Sequence, residues 1–244
     1  MQNRDGGWAG FDKDNDRQFL NHIPFADHNA MLDPSSADVT ARVLECLGRH
    51  GWPVRHPVLQ RALAYLAKEQ EQEGPWFGRW GVNYIYGTSG VLRALETVKL
   101  TGREFCQKAA EWLCAVQNPD GGFGESIASY YDPKLKGQGV STPSQTAWGL
   151  IGLLAAGWRE EPAVTQGVEH LLERQSSDGS WEEPEFTGTG FPRVFYLKYH
   201  LYRTYFPLYA LARYRNQGTR QEEYRAYEIS PQAPMPRTAG PGAS

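Results

Sequence analysis

The sequence has few of the features that mark disulfide-rich, membrane-spanning or nucleic-acid-binding proteins. Its 244 residues include only three cysteines, with no C-x-x-C pair. This small, odd set favours reduced thiols in a cytosolic protein. No apolar run approaches the roughly 18 residues that a spanning helix needs, and the polar, glycine-rich N-terminus does not resemble a signal peptide. A net charge of −3 leaves no excess of basic residues for a polyanion, so we expect no nucleic-acid partner.

Common signatures of catalysis are also missing. The six histidines form no H-E-x-x-H pair, and the chain contains no D-D-x-x-D cluster, no G-x-S-x-G motif and no phosphate-binding glycine loop. Asp12, Asp14 and Asp16 resemble the start of a calcium loop, but Arg17 stands where that loop needs glycine and Ile23 where it needs glutamate. We therefore interpret this segment as a solvated loop and predict no metal site.

One short segment does recur: a glutamine, three residues, a glycine, one residue and an aromatic ring. The four copies span residues 2–8, 70–76, 117–123 and 175–181. A glutamine amide can hydrogen-bond backbone at a helix end, glycine permits a turn, and the ring packs on a neighbouring helix. We interpret these copies, called the Gln-Trp segments, as clamps between helices and not as catalytic sites.

Helical periodicity flanks the Gln-Trp segments on both sides. The predicted helices span residues 38–48, 57–70, 90–100, 104–117, 144–157, 162–175 and about 198–214. Helices that alternate in this way, joined by glycine-rich turns, predict an all-α fold. We expect an incomplete α/α toroid of the α6–α6 barrel type, built on Gln-Trp repeats.

The two ends of the chain differ in character. No helix precedes the first Gln-Trp segment, because Gln2 directly follows Met1. A repeat protein that begins inside a repeat lacks its N-terminal cap, so we expect the C-terminal part of something longer. We assign residues 1–215 to the barrel. We predict that residues 216–244, which end rich in proline, glycine and alanine, form a disordered tail.

Aromatic residues make up 13% of the chain and gather before two of the predicted helices. One group surrounds Trp80. In the other, Phe191, Phe195, Tyr199 and Tyr202 are spaced i, i+4, i+8 and i+11, which predicts one helical face if the helix begins that early. Such a face is more often core than pocket. Ring faces also attract cations by about 0.5–2 kcal/mol each, so a π-lined pocket for a carbocation is the competing hypothesis.

These blocks of sequence resemble the bacterial squalene–hopene cyclases over residues 2–214. The resemblance is carried by the Gln-Trp segments and by stretches such as WFGRWGVNYIYGT and TGTGFPRVFYLKYHLYRTYFPLYALARY. It implies two α/α barrels, peripheral attachment to the cytoplasmic side of a membrane, and cyclisation of squalene or a related polyprene without metal or cofactor. This chain resembles only the second half of one barrel, so the resemblance also implies a missing N-terminal half as its partner.

The resemblance further implies roles for individual residues. Asp38 would lie near the catalytic acid, and Tyr86 would help to reprotonate it. Arg42 stands where some members have the histidine that partners the acid; arginine stabilises a carboxylate but cannot cycle a proton. Phe11 stands where others have tyrosine. The implied cavity wall comprises Phe11, Trp80, Phe191, Phe195, Tyr199 and Tyr202.

The family's acid lies in a D-x-D-D segment, and this sequence contains none. Alkene protonation needs a carboxylic acid that is held neutral and unusually strong. We therefore expect a C-terminal fragment of a squalene–hopene-type triterpene cyclase that supplies the aromatic wall and is inactive alone. The alternative is a non-catalytic α/α repeat module that binds an isoprenoid or a partner protein. A zinc-dependent prenyltransferase β-subunit is disfavoured, because no D-x-C element is present.

Overall fold

The computed structural model describes residues 1–22 and 31–229, and helices dominate this part of the chain. The α-helices are α1 (Ala37–Arg49), α2 (Pro57–Glu69), α3 (Tyr84–Thr97), α4 (Glu104–Ala115), α5 (Pro143–Ala155), α6 (Pro162–Glu173) and α7 (Tyr202–Ile229). Proline opens α2, α5 and α6. A first-turn proline suits a helix, because its missing N–H would have no partner there in any case. The predicted helices are thus all present.

The helices form two layers. In the inner layer α1 packs on α3, α3 on α5, and α5 on α7. In the outer layer α2 packs on α1, α4 bridges α3 and α5, and α6 packs on α5. Every residue of α5 is buried, which accounts for its almost unbroken apolar sequence. The arrangement is the predicted incomplete α/α toroid.

In the first three Gln-Trp segments, the glutamine amide donates two hydrogen bonds that join a loop to the next outer helix. Gln70 Nε2 donates to the carbonyl oxygen of Gly74 at 2.7 Å and to that of Phe105, the second residue of α4, at 2.8 Å. The other two make the equivalent bonds, which run from Gln2 to Gly6 and Val58 and from Gln117 to Gly121 and Ala163. One side chain therefore closes its own turn and fixes the start of a neighbouring helix.

The glycine of each of these segments is required by conformation and by space. Gly6, Gly74 and Gly121 have φ values of 96°, 116° and 77°. A Cβ on any of them would lie 2.5–2.6 Å from a backbone carbonyl oxygen of the fifth residue of the next outer helix. Any residue other than glycine would be costly here, because it would strain the backbone at a positive φ and its Cβ would collide with the neighbouring helix.

The predicted helical face from Phe191 to Tyr202 is wrong. An antiparallel β-hairpin, β1 (Gly188–Phe191) and β2 (Phe195–Leu197), precedes α7, which begins only at Tyr202. Pro192 disfavours helical backbone at Phe191, and Arg193 adopts a φ of 68° in the turn. The regular spacing of the aromatic residues therefore coincides with a helical period without producing a helix.

Two boundaries also differ from the sequence-based prediction. Helix α3 begins at Tyr84 instead of 90 and includes Gly87. Helix α7 continues to Ile229, past the position at 216 where we expected the tail to start. Residues 230–244 lie outside the described part of the chain, so the tail itself stays a prediction.

Gln117 and Gln175 provide a matched test of the clamp. Gln117→Ala removes two partly buried hydrogen bonds, so we expect the free energy of unfolding to fall by about 1–3 kcal/mol. Gln175→Ala removes one exposed bond, to Gly179, and should cost less than about 1 kcal/mol. Urea denaturation gives both values. Equal losses would contradict the two-bond clamp.

Candidate functional site

Several candidate residues lie where inner helices begin. Asp38 is in the first turn of α1, Tyr86 is in the first turn of α3, Trp80 lies in the loop before α3, and Tyr202 opens α7. The loop before α3 pairs with the hairpin through a backbone bridge between Gly81 and Gly188. This places side chains from distant parts of the sequence at one end of the inner layer.

Four predicted aromatic residues form a continuous row, called the aromatic row. The centroid of the Trp80 ring lies 5.7 Å from that of Phe11 and 6.2 Å from that of Phe191. Phe191 in turn lies 5.6 Å from Phe195. Edge-to-face and tilted contacts at these distances are favourable ring geometries. The structure therefore brings together residues that are separated by most of the chain.

Asp33 holds the loop that carries Phe11. Its carboxylate accepts hydrogen bonds from the backbone N–H groups of Gly10 at 3.1 Å and Asp12 at 2.7 Å, and from that of Phe11 itself. Phe11 is nevertheless 68% exposed. The backbone is fixed while the ring stays open to solvent. Asp33 was not predicted from the sequence, because nothing in its spacing links it to residues 10–12.

Glycines lie under several of the candidate rings. A Cβ on Gly10 would lie 2.9 Å from the ring of Trp80, and one on Gly81 would lie 2.6 Å from the ring of Tyr86. The same close approach joins Gly188 to Tyr199 at 2.5 Å and Gly190 to Phe195 at 1.9 Å. These rings therefore rest directly on backbone, which only glycine permits without displacement.

A second aromatic group surrounds Trp148 in α5 and is called the Trp148 cluster. Its ring centroid lies 4.9 Å from that of Tyr86, 5.9 Å from Tyr202 and 5.3 Å from Phe206. Tyr199 stacks on Tyr202 at 4.7 Å. Trp148 is only 2% exposed, and its buried ring packs against Tyr86 and Tyr202. Trp148 and Phe206 were not predicted as site residues, because an aromatic residue on a buried helix is typical of core.

Asp38 is a buried carboxyl that joins α1 to the loop of Trp80. It accepts hydrogen bonds from Ser36 Oγ at 2.6 Å and from the backbone N–H of Trp80 at 2.8 Å. Burial raises the pKa of Asp38, and these hydrogen bonds partly offset that rise. The hydrogen bond positions the backbone of Trp80. The raised pKa keeps Asp38 protonated to a higher pH than an exposed aspartate.

Arg42 and Tyr86 face each other between α1 and α3. The Arg42 guanidinium carbon lies 5.9 Å from the centroid of the Tyr86 ring, within the range of a cation–π contact. Arg42 is exposed. Burial raises the pKa of the Tyr86 hydroxyl, the charge of Asp38 adds to the rise, and Arg42 opposes it. Tyr86 therefore keeps a neutral hydroxyl beside the permanent positive charge of Arg42.

Tyr130 and Glu125, which the sequence did not single out, hold the loop that precedes α3. The Tyr130 hydroxyl lies within 2.7–2.9 Å of the carbonyl oxygens of Gly78 and Gly81 and of Thr189 Oγ1. The Glu125 carboxylate accepts from the backbone N–H of Ile85 at 3.0 Å, at the start of α3. Both contacts span more than thirty residues of sequence, so no local pattern predicts them.

Neither a metal cluster nor a spanning helix is found in the described ranges. Within residues 1–22 and 31–229, no three histidine, cysteine, aspartate or glutamate side chains are placed to hold a metal ion. Over the same residues, no helix is both long and apolar enough to cross a membrane.

The open α/α double layer superposes on solved structures of terpene cyclases. A type II terpene cyclase from Scytonema superposes with a TM-score of 0.53 at 22% identity, covering 78% of this chain and 50% of that one. The ent-copalyl diphosphate synthase from Streptomyces platensis gives a TM-score of 0.56 at 21% identity, covering 74% of this chain and 33% of that one. At these identities the likeness is one of fold.

Comparison of the sequence with known proteins identifies the family. The model for the squalene-hopene cyclase C-terminal domain matches residues 1–216, so the chain belongs to this family. A probable squalene–hopene cyclase from Sinorhizobium fredii is 52% identical over 219 residues, covering 88% of this chain and 34% of the relative. A dammaradiene synthase from Dryopteris crassirhizoma is 52% identical over 241 residues, covering 89% of this chain and 35% of the relative. The chain thus spans about a third of the length of these relatives.

The raised pKa of Asp38 predicts a pH-dependent contribution to stability. The folded chain keeps this proton where the unfolded chain has lost it, so the contribution is full below the ordinary value of 3.8 and is lost as pH rises through the folded pKa. Asp38→Asn cannot titrate. The unfolding free energy of the original chain minus that of the variant should fall from pH 4 towards neutral pH, by at most about 1.4 kcal/mol per pH unit. A flat difference would contradict the raised pKa.

The contact between Gly81 and Tyr86 predicts the effect of a single methyl group. Gly81→Ala would place Cβ 2.6–2.8 Å from three ring atoms of Tyr86, so we expect a loss of about 1–3 kcal/mol in unfolding free energy. Gly90→Ala, in helix α3, meets nothing within 4 Å and should gain up to about 1 kcal/mol from helix propensity. Near-ultraviolet circular dichroism should change only in the first variant. Matching behaviour of the two would show that Tyr86 does not rest on Gly81.

Proposed function

We propose that this chain supplies the C-terminal aromatic wall of a squalene–hopene-type triterpene cyclase. Its substrate would be squalene or a related polyprene, and the wall would stabilise the carbocations of the cyclisation cascade. The observation that carries the proposal is the aromatic row beside a buried carboxyl: Trp80 contacts Phe11 and Phe191, and its backbone N–H is bound by Asp38. Family membership and the names of the relatives support it.

The chemistry of the row fits cations better than anions. Ring faces attract a cation by about 0.5–2 kcal/mol each without supplying a nucleophile that could quench it. The Trp148 cluster would hold Tyr199 and Tyr202 at a later position along the same wall, since these rings stack at 4.7 Å. Tyr86 and Arg42 would assist a carboxyl near the start of the cascade.

We propose that the initiating acid comes from elsewhere in the assembled enzyme. The sequence contains no D-x-D-D segment. Asp38 is no substitute, because its carboxyl is turned towards Ser36 Oγ and the backbone N–H of Trp80. Protonation of an alkene requires an acid presented to the substrate. The missing N-terminal half would provide the acid, close the cavity and share attachment to the cytoplasmic surface of a membrane.

The identity of the product is left open by the relatives. A squalene–hopene cyclase and a dammaradiene synthase match this chain at the same 52% identity. The resemblance puts Phe11 where others have tyrosine and Arg42 where some members have histidine, so these are the positions where we expect product control to differ. Neither departure alters the proposed class of reaction.

The proposal is tested by complementation. The probe is the part of the Sinorhizobium fredii relative outside the matched region, called the complementing segment, co-expressed with this chain. With squalene in detergent, we expect triterpene products by mass spectrometry from the pair and none from this chain alone. Product from the chain alone would refute the external acid. No product from a co-purified pair would favour the alternative, a non-catalytic repeat module.

Phe195 tests the role of the wall within that assay. Phe195→Leu keeps an apolar side chain but removes a ring face, so we expect a roughly 2- to 30-fold loss of product and more prematurely quenched species. Phe186→Leu is the control, because Phe186 is 52% exposed and lies outside the aromatic row. Equal effects of the two substitutions would argue against a cation-stabilising wall.

A further inference from the structure

A single buried hydroxyl lies between two segments that carry the aromatic row. Tyr130 is 2% exposed, and its hydroxyl oxygen is 2.8 Å from the carbonyl oxygen of Gly78 and 2.7 Å from that of Gly81. These two glycines enclose the dipeptide that ends in Trp80. Tyr130 therefore holds the backbone on both sides of Trp80.

The same hydroxyl reaches the hairpin. Its oxygen lies 2.9 Å from Thr189 Oγ1, in strand β1 and two residues before Phe191. A carbonyl oxygen can only accept a hydrogen bond, and a tyrosine hydroxyl has one hydrogen to donate. The carbonyls of Gly78 and Gly81 share that hydrogen, so Thr189 Oγ1 is the donor in the third bond. One side chain thus links the loop of Trp80 to the strand of Phe191.

The backbone beside this hydroxyl is fixed to the hairpin as well. Arg193, in the turn between β1 and β2, donates from Nε to the carbonyl oxygen of Tyr130 at 2.6 Å. The ring centroids of Tyr130 and Tyr196 lie 5.7 Å apart. Burial raises the pKa of the Tyr130 hydroxyl well above its usual value, so the hydroxyl keeps its hydrogen at neutral pH. Tyr130 is therefore a fixed point from which the loop of Trp80 can be positioned.

The glycines on either side of Trp80 explain why such a fixed point is needed. Glycine adopts a wide range of backbone angles, so a short segment between two glycines can pivot if it is held at one end only. A backbone bridge between Gly81 and Gly188 holds the end that follows Trp80. The Tyr130 hydroxyl adds a bond to Gly78, at the end that precedes it. Both ends are thus held relative to the hairpin.

We propose that Tyr130 is a positioning residue for the cyclisation, whose hydroxyl sets the separation of Trp80 from Phe191 and thereby how long the carbocation is protected. The inference rests on the proposed function. The two ring centroids are 6.2 Å apart, and a ring attracts a cation appreciably only within about 6 Å of its centroid. Tyr130 does not touch the polyprene, because its hydroxyl is turned towards three protein oxygens.

A displaced Trp80 ring changes which products form. A misplacement of about 1 Å in a catalytic site can cost roughly 100-fold in rate. While ring closure is slowed, the cation is exposed to two competing reactions. It can lose a proton from the neighbouring carbon to give an alkene, or add water and lose a proton to give an alcohol. Either reaction ends the cascade early, so the share of early-terminated products reports the position of the ring.

The hydroxyl is tested with Tyr130→Phe in the assembled pair of this chain and the complementing segment. The ring stays and three hydrogen bonds are lost. We expect total triterpene from squalene to fall about 3- to 30-fold, and the share of early-terminated products to rise at least about threefold. Tyr65→Phe is the control, because Tyr65 is 5% exposed and lies on the outer helix α2. Mass spectrometry of the products, per mole of folded complex, should show no change for the control.

Thr189 provides a milder change that also covers poor folding of Tyr130→Phe. Thr189→Val keeps a β-branched side chain and removes only the bond to the hairpin, so the early-terminated share should rise by about 1.5- to 3-fold. Thr189→Ser keeps a hydroxyl and should restore the original product ratio. Thr187→Val is the matched control, because Thr187 is also 1% exposed and its hydroxyl donates to Glu183 instead. A role in folding alone predicts lower yield at an unchanged ratio.

Hydrogen exchange of the free chain measures the positioning without catalysis. Tyr130→Phe should speed the exchange of backbone amides in residues 78–85 and 188–197 together, by roughly fivefold or more, because both segments lose a shared partner. Residues 162–173 of α6 should exchange as before. Tyr65→Phe should change neither segment.

The outcomes distinguish the positioning role from the proposed function. An unchanged product ratio for Tyr130→Phe, in a pair that makes triterpene, overturns the positioning role even if total yield falls. Unchanged exchange in residues 78–85 and 188–197 overturns the link itself. A shift for Thr187→Val equal to that for Thr189→Val overturns the assignment to the shared hydroxyl. Failure of the unsubstituted pair to make triterpene is a different result, which refutes the proposed function and product control by Tyr130 with it.

Discussion

The double hydrogen bond of a glutamine amide is the interaction on which the rest of this structure depends. An α/α layer has no sheet to set the distance between its units, so something must fix where each outer helix starts. Gln70 does this by donating one N–H to its own turn and the other to Phe105. Helix packing alone leaves sliding along the ridges possible. The amide removes that freedom, and the glycine beneath it lets the helix approach.

Buried acidic side chains bind backbone N–H groups where the inner helices start. The N-cap residues of α1 and α3 make no side-chain capping bond. Asp38 accepts a backbone N–H at the start of α1, Glu125 accepts that of Ile85 in α3, and Glu183 accepts that of Ser144 in α5. Carboxylates are favourable at the positive end of a helix. One backbone N–H at the start of each of these three inner helices is therefore bound by a carboxyl group within the protein.

Much of the fold can be predicted from the sequence, because the Gln-Trp segment and its flanking helices are repeated. The clamp spacing and the apolar periods give the helices and the toroid, and the aromatic blocks give the family. The hairpin was missed because Phe191, Phe195 and Tyr199 satisfy a helical spacing, while the evidence against it lies in Pro192 and the left-handed turn at Arg193. The beginning of α3 was missed because Gly87 looks like a loop residue. Its absent side chain instead lets the helix approach the carbonyl oxygen of Trp76, 2.4 Å from where a Cβ would lie.

The supporting residues of the candidate site were beyond prediction for a different reason. Tyr130, Asp33 and Glu125 act through single contacts to backbone at distant positions, and such contacts leave no period or motif. Resemblance suggested the residues of the proposed wall, whereas the structure alone shows which contacts hold them. The glycines under Trp80 and Tyr86 belong to the same class, since a close approach between two segments becomes visible only when both are in place.

The proposed chemistry depends on covering rings that are exposed to solvent in this chain. A ring stabilises a cation strongly only when water is excluded, because water competes for the charge and can quench it. In this chain Phe11 is 68% exposed and Tyr199 is 43% exposed, so part of the wall faces solvent. In the proposed enzyme, the part of the cyclase that this chain does not cover would therefore have to cover these rings before they could stabilise a cation.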